Sequence, residues 1–559
     1  MSRSLVSAAL AASVAATCSA PAEVDLPKLT VVLVVDQMRQ DYLTRFGPLF
    51  KGGLGRLLDQ GLIFTNAHQD HAVTNTAPGH ATVATGVFPA KHGIVSNEFM
   101  IRSERARRYA VGDDESPVLG VPDASGRSPA LMLRDGLADW VKTAKPSAIV
   151  ASLAIKDRSA ITMGGRTSDL VYWYHDRRPG MVTSQWYGGP EPGWFTEFDA
   201  AARVASHYTE PWTRALPEEE YAGISREDAF EGEGEGWGST FPYDFTELFP
   251  PEQASADDLP PDDYFDDFPY TPFADQFVLE MAREAIRGEG MGADDIPDLL
   301  MLGLSAADYI GHRWGPQSQE VQDYYIRLDG WLDEFFRFLD AEIGEGEWAL
   351  ALTADHGVGH LPEYRAAQGD DARRLSFREA RQLRQAAVKP VLEGDTGVPR
   401  VEPMWFEGLH LFFEEGVSAD DVDPAALARL REALADAIET LDFIEAAYTR
   451  DEIEAADLNA GDVVGKFRRS YHPDRSADVL LQTRRHYSTN STPANHGTPH
   501  DYDTHVPLVF LRGNLPAGVD GSYVRTVDIA PTVAAWMGVT SPDDLDGIPL
   551  IQAIQPAIR

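Results

Sequence analysis

Continuous apolar runs punctuate the chain, and each gives way to charged residues. Thr30 to Val35 runs into Asp36, Ala148 to Leu153 leads to Lys156, and Leu299 to Leu304 leads to Asp308; Trp348 to Thr353 is followed by Asp355, and Val506 to Leu511 by Arg512. Uninterrupted β-branched runs suit strands covered on both faces, whereas a half-exposed strand would alternate. Between these runs apolar residues recur every three or four positions. The clearest case is Gln319 to Ile343, with Val321, Tyr325, Leu328, Leu332, Phe335 and Leu339 in phase, and 274–288 and 424–441 read similarly. Strands alternating with helices predict an α/β fold, a mainly parallel β-sheet flanked by helices on both faces. Such sheets bind ligands beyond the carboxyl ends of their strands. The Asp residues just named stand there.

Two stretches break the pattern. Residues 186–270 are rich in Pro, Gly, Trp and acids (EGEGEGWGSTFPYDF, DDLPPDDYFDDF), and 364–475 follow no simple alternation. Both are expected as insertions in one catalytic domain spanning 23–559, the first forming a cap over one end of the sheet. The acid runs lack the Gly and Glu positions of an EF-hand loop and read as solvated surface.

The first 22 residues read as a cleaved export signal: Arg3, an apolar run from Leu5 to Ala16, and Ala20-Pro21-Ala22 as the cleavage site. The single cysteine, Cys18, falls inside it; acylation there would make a lipoprotein, the less favoured reading. The mature chain would then hold neither disulfides nor thiolate metal sites, and no stretch approaches the roughly 20 apolar residues of a membrane helix. A periplasmic or secreted protein, monomeric and without a membrane span, is the expectation. With 48 Lys plus Arg against 88 Asp plus Glu, the net charge is −40. That argues against nucleic acid as a partner and requires any phosphate site to carry its own local positive charge.

The stretch from Asn75 to Asn97 (NTAPGHATVATGVFPAKHGIVSN) puts Thr76 two residues before Pro78, which is expected to open a short helix from His80 to Thr85 stopped by Gly86. Thr76 then lies just before a helix N-terminus, where free N–H groups favour an anion. A plain N-cap is the ordinary alternative. Asp308 and His312 are four apart, a usual spacing for two ligands of one metal. Asp355-His356-Gly357 follows a strand with a glycine to turn the backbone, and His496 adds an imidazole. With Asp36 these make three carboxylates and three imidazoles from separated strand ends, a donor set that suits zinc better than calcium or magnesium.

The set D36…T76-A-P-G-H80…TG-x2-P-x2-HG…D308-x3-H312…T353-A-D-H-G357…H496-G…Y502-D-T-H-V-P resembles the alkaline phosphatase superfamily from about residue 29 to 538. The resemblance implies Thr76 as a nucleophile that becomes phosphothreonine, and two Zn2+ ions. Asp36, Thr76, Asp355 and His356 would hold the nucleophile-side zinc; Asp308, His312 and His496 would hold the leaving-group zinc. His496 is preferred over His505 for the last place, with His500 and His505 in supporting or structural roles. Thr76 without a C/S-x-P-x-R context sets the chain apart from sulfatases. Asn97 and Lys156-Asp157-Arg158 resemble the Asn and K-x-R pair of PafA-like, single-subunit alkaline phosphatases. There Asn97, Lys156 and Arg158 would grip the non-bridging oxygens of a phosphate monoester. The implied activity is that of a phosphoric monoester hydrolase acting on small phosphate monoesters. Two alternatives remain: a phosphodiesterase or nucleotide pyrophosphatase gripping a second ester group with Trp173, Tyr174, Trp186 or Tyr187, and a non-catalytic metal- or phosphate-binding protein.

Overall fold

The computed structural model describes residues 26–554 apart from 179, 190, 251–259, 394–403, 409, 414–422 and 489–491. The expected signal segment with Cys18 lies outside the described residues. Nine strands form the main sheet: β1 (Leu29–Val35), β2 (Leu62–His68), β3 (Val150–Ala154), β4 (Leu170–Tyr174), β5 (Met181–Val182), β6 (Asp298–Leu304), β7 (Trp348–Thr353), β8 (His505–Arg512) and β9 (Gly518–Arg525). Their order is β9-β2-β8-β7-β1-β6-β3-β4-β5. The centre, β7-β1-β6-β3-β4, is parallel throughout. Toward one edge β8 runs antiparallel to both β7 and β2.

Successive residues of β1 show why its run is unbroken. Val31, Leu33 and Val35 enter the core on one face; Val32 and Val34 enter the core on the other. Helices Phe273–Glu289 and Gln319–Glu342 cover the first face, and Leu137–Ala144 with Ile529–Trp536 the second.

The acidic, aromatic stretch after residue 186 is more ordered than its composition suggests. It forms short helices whose rings join the first core, with Trp212 Nε1 and Tyr221 Oη both donating to the buried Asp323 carboxylate of helix Gln319–Glu342 (2.7 and 2.5 Å). Further along, strands Met404–Glu407, His410–Phe413, Val479–Thr483 and Ile444–Thr449 form a separate antiparallel sheet in that order. Helices Phe377–Glu393 and Pro424–Glu439 pack on it around a core of its own. No described helix is long and apolar enough to cross a membrane.

Candidate metal centre and active site

Thr76 is the first residue of a helix, Thr76–Thr85, every residue of which is buried. The sequence reading started this helix at His80. Asn75, in extended conformation, caps it, and Pro78 fits inside the first turn because N–H groups there have no partner within the helix. Gly86 ends it at φ +66°. The helix meets the end of β7 through Gly79, where a Cβ would stand 2.3 Å from the Asp355 carbonyl oxygen. Asn97 Oδ1 accepts from the Ala77 N–H at 2.9 Å, so the group it can turn to a ligand is its NH2.

The ends of β1, β6, β7 and β3 converge in front of Thr76. Lys156, after β3, places Nζ 2.7 Å from Asp36 Oδ2, 2.6 Å from Asp308 Oδ2 and 3.3 Å from Thr76 Oγ. Three overlapping groups bring possible ligand atoms within 4.8 Å of one another: Asp308 with His312 and His496, Asp36 with Asp308 and His356, and Asp36 with His80 and Asp355. His312 Nε2 lies 3.2 Å, and His496 Nε2 3.6 Å, from Asp308 Oδ1. His356 Nε2 is 3.5 Å from Asp36 Oδ1 and 3.4 Å from Asp355 Oδ2.

These residues fit metal ions. Nδ1 of His312, His356 and His496 lies 2.8, 2.9 and 2.7 Å from the carbonyls of Ala494, Gly357 and Thr74. Donation to those carbonyls leaves each Nε2 as the lone-pair atom facing the cluster, the usual support of a metal-bound imidazole. Asp36 Oδ1, Asp355 Oδ2 and His356 Nε2 are buried with no hydrogen-bond partner. Orphaned acceptors in a dry site call for a cation.

The electrostatics point the same way. Burial pushes the Asp36 carboxyl well above its usual range, with Asp355 and Asp308 adding to the effect and Lys156 opposing it. Burial also works to raise Asp308, but His312 and Lys156 outweigh it and hold that group well below the carboxylate range. At Asp355 the same contest is won by His356 and His80. Burial drives His496 well below an ordinary imidazole, ready to ligate as the neutral base. Three buried carboxyl groups face one ammonium, so the cluster carries more acid than Lys156 alone can balance.

Arg158 stands farther out. Its Nη1 accompanies Tyr109 Oη (3.3 Å), which in turn donates to Asp157 (2.5 Å). With Lys156, Trp173, Tyr174 and Tyr309 it lines a cavity of about 280 Å³. Trp186 and Tyr187 turn elsewhere, donating to the carbonyls of Arg166 and Gly165. His496 lies in the cluster; His505 instead stacks on His68 and points Nε2 at the Thr65 carbonyl, and His500 faces the Thr483 carbonyl. Two neighbours carried no role in the sequence reading. His80 Nδ1 sits 2.9 Å from the Thr76 carbonyl and 3.1 Å from Asp355 Oδ2. Gln37 touches both Asp355 and Asp308. His80 closed the T-A-P-G-H motif without a role of its own, and Gln37 offered only its place beside Asp36.

A family model described as Type I phosphodiesterase / nucleotide pyrophosphatase matches residues 30–506. A protein of Myroides odoratus named calcium-transporting ATPase is 30% identical over 543 residues, covering 95% of this chain and 96% of its own. Alkaline phosphatase PafA of Elizabethkingia meningoseptica is 30% identical over 540 residues, 94% of each chain. The crystal structure of wild-type PafA superposes with a TM-score of 0.85 at 28% identity, covering 95% of this chain and all of that one.

Proposed function

The chain belongs to the type I phosphodiesterase / nucleotide pyrophosphatase family of the alkaline phosphatase superfamily, and from that premise we propose that it is an exported alkaline phosphatase that hydrolyses phosphate monoesters through a phosphothreonine on Thr76. The observation that carries this reading is the Lys156 ammonium, 3.3 Å from Thr76 Oγ and hydrogen-bonded to a carboxylate of each metal-ligand group. A cation there faces the non-bridging oxygens of a phosphoryl group on Thr76. A monoester dianion, with three such oxygens, uses it best.

Asp36, Thr76, Asp355 and His356 would hold one zinc, and Asp308, His312 and His496 the other. When bound, the two ions supply Lewis-acid stabilisation to the attacking and departing oxygens. The chain does the rest. The Thr76 hydroxyl gives up its proton as Oγ forms the new P–O bond, the bond to the ester oxygen breaks, and the departing alkoxide takes up a proton and leaves as the alcohol. Water then attacks phosphorus as the Thr76 Oγ–P bond breaks; one proton of the water ends on Thr76 Oγ, restoring the hydroxyl, and inorganic phosphate leaves. Lys156, Arg158 and the Asn97 amide hold the equatorial oxygens in both halves, and the N-terminal end of helix Thr76–Thr85 adds its dipole. Phosphoryl transfer relies on positioning and charge stabilisation, which these groups provide. Two divalent ions, which favour the ionised form of all three carboxyls, would bring Asp36, Asp308, Asp355 and Lys156 together to a charge of +2, the complement of a phosphate dianion.

The family model, together with the aromatic wall of the cavity beside Arg158, favours a second reading in which a diester places its other ester group there. The two are separated by kcat/KM for p-nitrophenyl phosphate against bis-p-nitrophenyl phosphate on the zinc-loaded protein at alkaline pH. The monoester reading expects a preference of about a thousandfold or more, since each well-placed donor on the transferring group is worth about 10²–10³. A diester preference overturns it.

A further inference from the structure

Strand β1 hands its last carbonyl and amide positions to the sheet in regular fashion, and Asp36 N–H still donates to Leu304 O at 2.9 Å. The next residue, Gln37, breaks from this with φ +65°, a conformation that side-chain-bearing residues rarely adopt, although it is buried and is not a glycine. Such strain persists where surrounding contacts over-determine it. Here the contacts are specific. The left-handed turn aims the Gln37 N–H at Asp355 Oδ1 (3.1 Å) and sends its side-chain amide to Asp308 Oδ1 (2.6 Å). One residue therefore binds a carboxylate of each proposed metal site. The fold makes room for it: a Cβ on Gly311, one turn along the helix carrying Asp308, would stand 1.7 Å from Gln37 Oε1.

We infer that Gln37 is a positioning residue that ties the carboxylates of the two proposed metal sites together, fixing their separation and the orientation of Asp308 toward His312 and His496. The inference rests on the metal-site reading above. With Gln37 on Oδ1 and Lys156 on Oδ2, both Asp308 oxygens are held. A neutral amide suits this place because it donates without adding a charge to the cluster. Asp355 is held through backbone, Asp308 through side chain, so removal of the side chain acts on the Asp308 site alone.

Gln37→Gly separates strain from tie, since glycine accepts φ +65° and keeps the backbone N–H. The zinc-free variant is expected to melt at or above the wild-type temperature. In competition with a chelator, one zinc should bind as in wild type and the other about 10–100-fold more weakly, the usual cost of removing a supporting partner. Under saturating zinc, kcat for p-nitrophenyl phosphate should fall more than KM changes. Gln37→Glu, with the same reach but no donor, should be at least as harmful. Gly311→Ala should loosen the same zinc by displacing the amide, and adding it to Gln37→Gly should cost nothing further, a non-additivity expected only of residues acting on one contact. Should Gln37→Gly not fold, Gly311→Ala reads the tie from the other side. Both variants holding two zinc ions at wild-type affinity, with kcat within about threefold, would overturn the inference. A wild-type protein that takes up no zinc or turns over no monoester would instead defeat the functional reading.

Discussion

The two halves of the site meet water differently. Asp36, Asp355 and His356 have side chains that are 0% exposed, shut beneath the Thr76 helix by the close contact at Gly79. Across the Lys156 ammonium, His312 leaves 23% of its side chain in solvent and His496 8%. Chemistry explains the asymmetry. A nucleophile gains from a dry surrounding in which charge acts strongly. A departing alcohol and an arriving water need an open side. The burial pattern separates a dry half from a more open one, and under the proposed function the first would hold the nucleophile and the second would exchange alcohol for water.

Removing Thr76, the proposed nucleophile, should have the largest effect. Thr76→Ala is expected to lower kcat for p-nitrophenyl phosphate by more than about a thousandfold, as loss of a nucleophile does elsewhere. It should also abolish phosphothreonine in acid-quenched, mass-analysed peptide. Activity within about tenfold of wild type would end the assignment.

Lys156 spans both halves, so its loss tests whether they are electrostatically joined. In zinc-free protein Lys156→Met leaves Asp36 and Asp308 facing each other, at a cost of about 3–5 kcal/mol for breaking a buried ion pair. Denaturant titration with and without zinc checks it: the loss should shrink when metal is present. A loss equal in both states would mean that metal ions do not share those carboxylates.

The exposure difference itself predicts two phases of zinc release into excess chelator. The Asp308/His312/His496 ion should leave first, by about tenfold or more. His312→Ala should erase the fast phase and His356→Ala the slow one. A single phase would remove the distinction between the halves.

The smallest effect lies away from the site and sharpens the comparison as a control. Burial pushes the Glu320 carboxyl up to about 8, although Tyr243 Oη bonds it at 2.7 Å. The folded chain therefore keeps a proton that the unfolded chain, titrating near 4.5, has released. This contribution to stability is complete below about pH 4.5 and is lost as pH rises through about 8. Glu320→Gln should raise the melting temperature at pH 9 relative to wild type by at least about 1 °C, and not at pH 4. Zinc affinity should stay unchanged.

Much of the sheet was legible because strands buried on both faces leave unbroken apolar runs, and Asp36, Lys156, Asp308 and Asp355, which follow four of those runs, are gathered by the structure. Arg512 is not, because antiparallel β8 carries it to the other end of the sheet, opposite Ala349. β8 was legible as a strand but not in direction, since nothing local to Val506–Leu511 distinguishes an antiparallel neighbour. The helix start was displaced because Pro78 was set ahead of a helix beginning at His80, whereas it occupies the third position of a helix that begins at Thr76. The second sheet was hidden for a different reason: Val479–Thr483 pairs with strands from far earlier in the chain, and pairing partners leave no local trace. Gln37 was beyond reach. Its meaning depends on a positive φ and on a glycine 274 residues away clearing space for its amide.

The ligands are drawn from Asp36 to His496, and that span gives the site an order of assembly in time. A chain made from its N-terminus has Asp36 and Thr76 in hand early, but a carboxylate pair from β1 and β7 only after residue 356 exists. The dry half is then complete in composition, while the open half has Asp308 and His312 and still waits for an imidazole. Only when nearly the whole chain has been made, and Nδ1 of His496 can reach the Thr74 carbonyl, does the second half close. Metal uptake by the two proposed sites would therefore be a closing act of folding, locking a topology already formed from distant contacts rather than nucleating it.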